Sequence, residues 1–157
     1  HGRHVTWIPS YGPEMRGGTA YVMVCIASTP IGSPLIESPR ALVVMNLPSL
    51  EKFGPKVKPG GIIVINQSLV ERDPGRHDCT VIKVPARELA QEAGAPRAAN
   101  FVMLGAYAGA TDVVPPEAIE QAIAEEFTGD KAKYIPSSIA AFRAGLKAGQ
   151  QARVTVQ

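Results

Sequence analysis

The chain has 157 residues, a length that suits one domain with a real core. Hydrophobic residues make up 45% and charged residues 19%, which is globular composition and excludes a disordered polyelectrolyte. A net charge of +2 without a Lys/Arg cluster gives no footing for nucleic acid, and no run of about 18 apolar residues offers a membrane span.

His1-Gly2-Arg3-His4 leads straight into Val5–Pro9, which reads as a short strand. Ser10–Gly18 is a loop carrying Gly12, Pro13, Gly17 and Gly18. Ala20–Ser28 is apolar enough for a buried strand, and Thr29–Pro39, broken by prolines and a glycine, is irregular. Ala41–Met45 is a second buried strand, Pro48–Phe53 a short helix closed near Gly54-Pro55, and Lys58-Pro59-Gly60-Gly61 a turn. Ile62–Asn66 is a third buried strand. These strands are apolar throughout rather than alternating, the pattern of strands covered on both faces of a parallel sheet. Strand, helix, turn and strand in succession give a βαβ rhythm.

After a polar turn at Glu71–Arg76, Thr80–Val84 forms a strand stopped by Pro85. The remainder is helical. Ala86–Ala93 ends at Gly94. Arg97–Ala110 is a helix of small residues, with Ala98, Ala99, Gly105, Ala106, Ala108 and Gly109 allowing close packing. Pro115-Pro116-Glu117 starts another helix with Ile119, Ile123 and Phe127 on one face, and Ala140–Ala148 forms the last. The fold class expected is α/β: a Rossmann-like, mostly parallel sheet flanked by helices, with a helical carboxy-terminal part.

Recognised catalytic signatures are lacking. No Gly-x-Ser-x-Gly, P-loop or Gly-x-Gly-x-x-Gly occurs, and His1, His4 and His77 show no metal spacing. Cys25 and Cys79 form no CxxC, so the chain supplies no iron–sulfur or zinc site, and a reduced, cytoplasmic pair is expected. The densest functional segment is Ser10–Thr19, which sets a hydroxyl, a phenol, a carboxylate and a guanidinium after a strand. Loops at the carboxyl ends of parallel strands bind ligands in such sheets. Arg16 can fork onto a phosphate or carboxylate, and Gly17-Gly18 permits close backbone approach. A tight surface loop with one Glu–Arg pair explains the same residues. Asn46 and Ser49 follow another strand; Ser49 suits a helix cap, while Asn46 is open between ligand contact and turn chemistry. Asn66-Gln67-Ser68 reads as polar residues satisfying loop backbone. Trp7 belongs in a core or an interface.

Several motifs, in order, give a resemblance. Ser10-Tyr11-Gly12-Pro13-Glu14-Met15-Arg16-Gly17-Gly18-Thr19-Ala20 resembles the signature of gamma subunits of 2-oxoacid:ferredoxin oxidoreductases. So do Met45-Asn46-x-Pro48-Ser49-Leu50-x-Lys52-Phe53, Val57-Lys58-Pro59-Gly60-Gly61, and Pro96-Arg97-x-Ala99-Asn100-x-Val102-x-Leu104-Gly105-Ala106. The resemblance implies a non-catalytic gamma subunit of a complex that converts a 2-oxoacid and coenzyme A to acyl-CoA, CO2 and reduced ferredoxin. It implies that the complex uses thiamine diphosphate, Mg2+, iron–sulfur clusters and coenzyme A, none of them bound by this chain alone. The implied partners are alpha and beta subunits, a ferredoxin-like delta subunit, and ferredoxin. Ser10, Tyr11, Glu14, Arg16, Gly17, Gly18, Asn46 and Ser49 are the ligand- or interface-facing residues so implied. The Glu-Met-Arg-Gly-Gly form of the loop looks like the 2-oxoglutarate or 2-oxoisovalerate branch. Members of the family open with a strand and a Gly-x-Gly-Gly-Gln-Gly turn that this sequence does not contain. The expectation is thus a single gamma-type domain over 1–157 without that segment. Two other readings compete: a stand-alone Rossmann-like module binding coenzyme A or a nucleotide, and a purely structural interaction domain.

Overall fold

The computed structural model describes residues 2–12 and 20–156, with the backbone alone from 154 onward. Its contacts divide the chain into two compact units, His1–Pro39 and Arg40–Gln157.

The first unit holds β1 (His4–Tyr11) and β2 (Ala20–Ala27), an antiparallel pair in register from His4 opposite Ala27 to Tyr11 opposite Ala20. This corrects the expectation of a covered strand in a parallel sheet. Exposure alternates along β1, and along β2 as far as Cys25: Val5, Trp7, Pro9 and Tyr11 are exposed, and Thr6, Ile8 and Ser10 are half-buried between them. Successive side chains of a pleated strand point to opposite faces. An all-apolar run therefore fits a strand covered on both sides and equally a ribbon with one bare apolar face. The first strand also runs further than expected, making Ser10 and Tyr11 strand residues opposite Tyr21 and Ala20. Thr29–Pro39 is irregular, as its prolines dictate.

The second unit contains β3 (Ala41–Val44), α1 (Leu47–Phe53), β4 (Ile62–Asn66), β5 (Thr80–Val84), α2 (Ala86–Glu92), α3 (Ala99–Thr111), α4 (Pro116–Glu126) and α5 (Ile135–Val156). The three strands pair in parallel in the order β3-β4-β5. Here the uninterrupted apolar pattern has the meaning expected of it. Ile63 and Ile65 point to one face, against Val44, Leu50 and Val57. Val64, with Ile82 and Val84, points to the other, against Val102, Met103 and Ala106 of α3. Both faces are covered, so β4 is apolar on both sides from Ile62 to Ile65, and only Asn66 at its carboxyl end is polar.

The last helix starts at Ile135, five residues before the expected Ala140, after a 3-10 stretch over Gly129–Tyr134. Pro136 is compatible with this because a first-turn N–H has no helical partner to lose. As expected, Ile119, Ile123 and Phe127 share a face; they pack with Phe142. Arg143 forks onto Glu120, Nε to Oε1 and Nη2 to Oε2, both at 2.7 Å, joining α5 to α4.

Two contacts hold the second unit in unusual ways. Parallel strands are normally joined through a helix, yet among the described residues the β4–β5 connection carries none. Arg76 ties it down instead, donating from Nη1 to the Gly54 carbonyl at 2.8 Å and from Nη2 to the Val57 carbonyl at 2.7 Å. Its Nε meets Asp78 Oδ1 at 2.7 Å. Meanwhile α3 and α5 meet backbone to backbone. A Cβ at Gly105 would collide with the Phe142 carbonyl oxygen, and one at Gly145 with that of Val102. Gly109 and Gly149 repeat the arrangement one turn on, against Leu146 and Ala106.

Candidate functional site

The residues singled out in the sequence fall into both units. Glu14, Arg16, Gly17 and Gly18 lie outside the described residues. Ser10 and Tyr11 close β1, with Ser10 half-buried and Tyr11 78% exposed. The loop they lead into joins the two antiparallel strands of a ribbon rather than leaving the end of a parallel strand, so the carboxyl-rim argument for Ser10–Thr19 does not apply.

The ribbon offers something else. Trp7, 65% exposed, stands opposite Val24; Pro9 stands opposite Val22 and Tyr11 opposite Ala20. With Val5 these residues form an exposed apolar ladder on one face. A contiguous bare apolar face of this kind marks an interaction surface. At 65% exposure Trp7 is not a core residue. Period-two alternation in exposure was the missed signal, hidden because both faces of each strand are largely apolar.

In the second unit Asn46 comes after β3 and Asn66 ends β4, so both stand at the carboxyl rim of the parallel sheet. Asn46 is the N-cap of α1: its backbone is extended (φ −150, ψ 162), and its Oδ1 accepts from the Ser49 N–H at 3.0 Å. This corrects the assignment of the cap to Ser49, which lies in the first turn and supplies the orphan N–H. Pro48 cannot donate, which leaves Ser49 as the first-turn amide best placed for the cap. The cap uses Asn46 Oδ1 and leaves its Nδ2 amide and the Ser49 hydroxyl over for other contacts.

Asn66 is buried, and its Oδ1 accepts from the Ser68 N–H at 3.2 Å. The loop-backbone role read from Asn66-Gln67-Ser68 is therefore what the geometry displays. Ser68 Oγ accepts from the Arg87 N–H at 3.1 Å and donates to Glu88 Oε2 at 2.5 Å. One hydroxyl thus satisfies the start of α2 and braces its first acidic side chain. That hydroxyl holds the Glu88 carboxyl below the usual range, helped by the helix's own backbone. Glu88 was missed because it lies 20 residues from Ser68 in the chain; an acidic residue in the turn after Pro85 was the available hint. Together these groups form a rim of hydrogen-bonding side chains whose donors and acceptors are largely committed to one another. It can position a loop or meet a polar ligand edge, but it contains no nucleophile–base pair. Among the described residues no group of three or more His, Cys, Asp or Glu could hold a metal. Cys25 and Cys79 are free thiols, both half-buried. No helix among the described residues is long and apolar enough to cross a membrane.

Similarity to known proteins extends through both units. The sequence profile of the pyruvate ferredoxin/flavodoxin oxidoreductase family matches residues 1–148. The chain belongs to this family. It is 40% identical over 146 residues to the ketoisovalerate oxidoreductase subunit VorA of Methanothermobacter thermautotrophicus, covering 92% of this chain and 30% of that protein. To the 2-oxoglutarate synthase subunit KorC of Methanocaldococcus jannaschii it is 37% identical over 116 residues, covering 73% of this chain and 62% of that one. It therefore spans less than two-thirds of the length of these relatives. Among solved structures, the gamma subunit of a keto/oxoacid ferredoxin oxidoreductase from Geobacter sulfurreducens superposes with a TM-score of 0.77 at 24% identity, over 96% of this chain and 82% of that one. A 2-oxoglutarate:ferredoxin oxidoreductase from Magnetococcus marinus superposes with a TM-score of 0.81 at 19% identity, over 96% of this chain and 26% of that one. At these identities the two structures attest the α/β fold.

Proposed function

We propose that this chain is the gamma-type subunit, or domain, of a 2-oxoacid:ferredoxin oxidoreductase and performs no chemistry alone. The observation that carries this reading is the 40% identity to a ketoisovalerate oxidoreductase subunit over 92% of the chain. In this reading residues 1–157 act as one gamma-type domain, and the family match running through both units supports that. The complex converts a 2-oxoacid and coenzyme A to acyl-CoA, CO2 and reduced ferredoxin in the cytoplasm. Thiamine diphosphate with Mg2+ acts on other subunits or domains of the complex, and iron–sulfur clusters pass the electrons to ferredoxin; alpha, beta and ferredoxin-like delta subunits are the partners. Thiamine diphosphate supplies the electron sink for decarboxylation; this chain supplies positioning. The relatives' names favour a branched-chain 2-oxoacid or 2-oxoglutarate as substrate, and they lend no support to a stand-alone binding module.

The apolar ladder of the β1–β2 ribbon suits a partner subunit, because covering Trp7, Val22 and Val24 removes apolar area from water. The segment that carries Tyr11, Glu14, Arg16, Gly17 and Gly18 then meets the partner or the acyl carrier. Arg16 is the residue assigned to a phosphate or carboxylate of coenzyme A, and Ser10 is assigned to the same ligand or interface. Asn46 and Ser49 offer the polar groups their cap leaves over.

Co-expression with thiamine-diphosphate-binding subunits tests the assignment. The chain is expected to co-purify with them and to be inactive when isolated; consistent failure to co-purify overturns it. Arg16→Ala should leave assembly intact and raise KM for coenzyme A by about tenfold, the worth of one charge-assisted hydrogen bond. Loss of assembly alone would make this segment an interface element only.

A further inference from the structure

At the amino end of the three-stranded sheet, opposite the rim that holds Asn46 and Asn66, the second unit contains a cleft of about 680 Å3. That volume falls in the range of roughly 300–1,000 Å3 typical of small-ligand sites. Three cations line it: Arg40 just before β3, Lys58 in the turn before β4, and Arg153 near the end of α5. Behind them Ile62, Ile82 and Ala110 supply an apolar wall, Ile82 being buried.

The charge balance decides what such a cleft takes. Arg153 is paired with Asp112. Arg40 and Lys58 form no ion pair among the described residues, and no carboxylate lines the cleft. Opposing them is the carboxyl end of α3 at Ala110 and Thr111, worth about half a negative charge. Thr111 turns its hydroxyl onto the Tyr107 carbonyl at 2.8 Å and adds no charge. Two uncompensated cations outweigh that dipole. Guanidinium and ammonium groups set around one concavity are a recognition pattern for phosphate oxygens. An apolar wall among them adds nothing for a bare inorganic ion and favours a ligand with an apolar body.

We propose that this cleft binds a phosphorylated small molecule of nucleotide size, its phosphates between Arg40 and Lys58 and its apolar part against Ile62 and Ile82. Arg153 joins the phosphates by exchanging Asp112 for the ligand. None of these residues belongs to the ribbon or the carboxyl rim, so the site stands apart from the subunit assignment above.

Equilibrium dialysis of the full chain with ADP and with pyrophosphate tests it. ADP is expected to bind one per chain, about tenfold more tightly than pyrophosphate because only ADP uses the apolar wall. Arg40→Ala and Lys58→Ala should each weaken ADP binding by about tenfold while leaving the melting temperature unchanged, since both side chains are exposed. Absence of ADP binding at millimolar concentration overturns the proposal. Equal affinity for the two probes, or ADP binding that both variants retain in full, overturns it as well.

Discussion

At the entrance to α1 a single side-chain oxygen, Asn46 Oδ1, holds the first turn. Asn46→Ala should cost about 1 kcal/mol, the usual worth of an N-cap, whereas Ser49→Ala should stay within about 0.5 kcal/mol; urea unfolding of the two variants checks the difference. Electrostatics at residue scale centre on Asp78, whose carboxyl is lowered to about 2 from its usual 3.8, first by its hydrogen bond to Arg76. A lowered carboxylate contributes stability above its unfolded pKa and loses it as pH falls through the folded one. Thermal melts should therefore show a loss between about pH 4 and pH 2, and Asp78→Asn should flatten that segment. Residues of this kind were only half legible. Ser49 and Asn46 both favour caps by composition, and only the extended backbone at Asn46 decides between them. Arg76 in a polar turn gave no hint of reaching two carbonyls some 20 residues back, because such pairings are set by tertiary structure.

Among the elements, the ribbon and the α3–α5 pair make the sharpest claims. Trp7→Ser should leave the melting temperature nearly unchanged, since the indole is exposed, and weaken association with the catalytic subunits by about 2 kcal/mol, as buried aromatic anchors do. Titration calorimetry against those subunits reads it; unchanged affinity would remove the ladder from the interface. At the helix pair, Gly145→Ala drives a methyl into the Val102 carbonyl oxygen, an atom that cannot turn aside. A loss of about 3 kcal/mol or more is expected in denaturant unfolding, against no measurable change for Gly32→Ala, where nothing lies within 4 Å. The sequence announced α3 as a close-packing helix through Gly105 and Gly109. It was less forthcoming about Gly145 and Gly149 in α5, whose significance depends on which helix faces them. For β3, β4 and β5, apolar runs next to a βαβ rhythm were enough. For β2 the same composition misled, because apolarity reports what a strand can cover, not whether the cover is present.

Over the whole molecule, two units of very different build share one chain. A two-stranded ribbon is marginal in water, while a sheet covered on both faces is not. Hydrogen-exchange mass spectrometry should find β1 and β2 opening well before β4 and α3; equal protection would contradict the division. The glycine contacts of α3 and α5 carry one more implication. Helices that touch through side chains can slip past each other by small rotamer adjustments, which is how shear motions arise. Four glycines seated under carbonyl oxygens leave no such slack. These helices are therefore expected to travel together as a single strut, so that a displacement imposed on α5 is carried to α3.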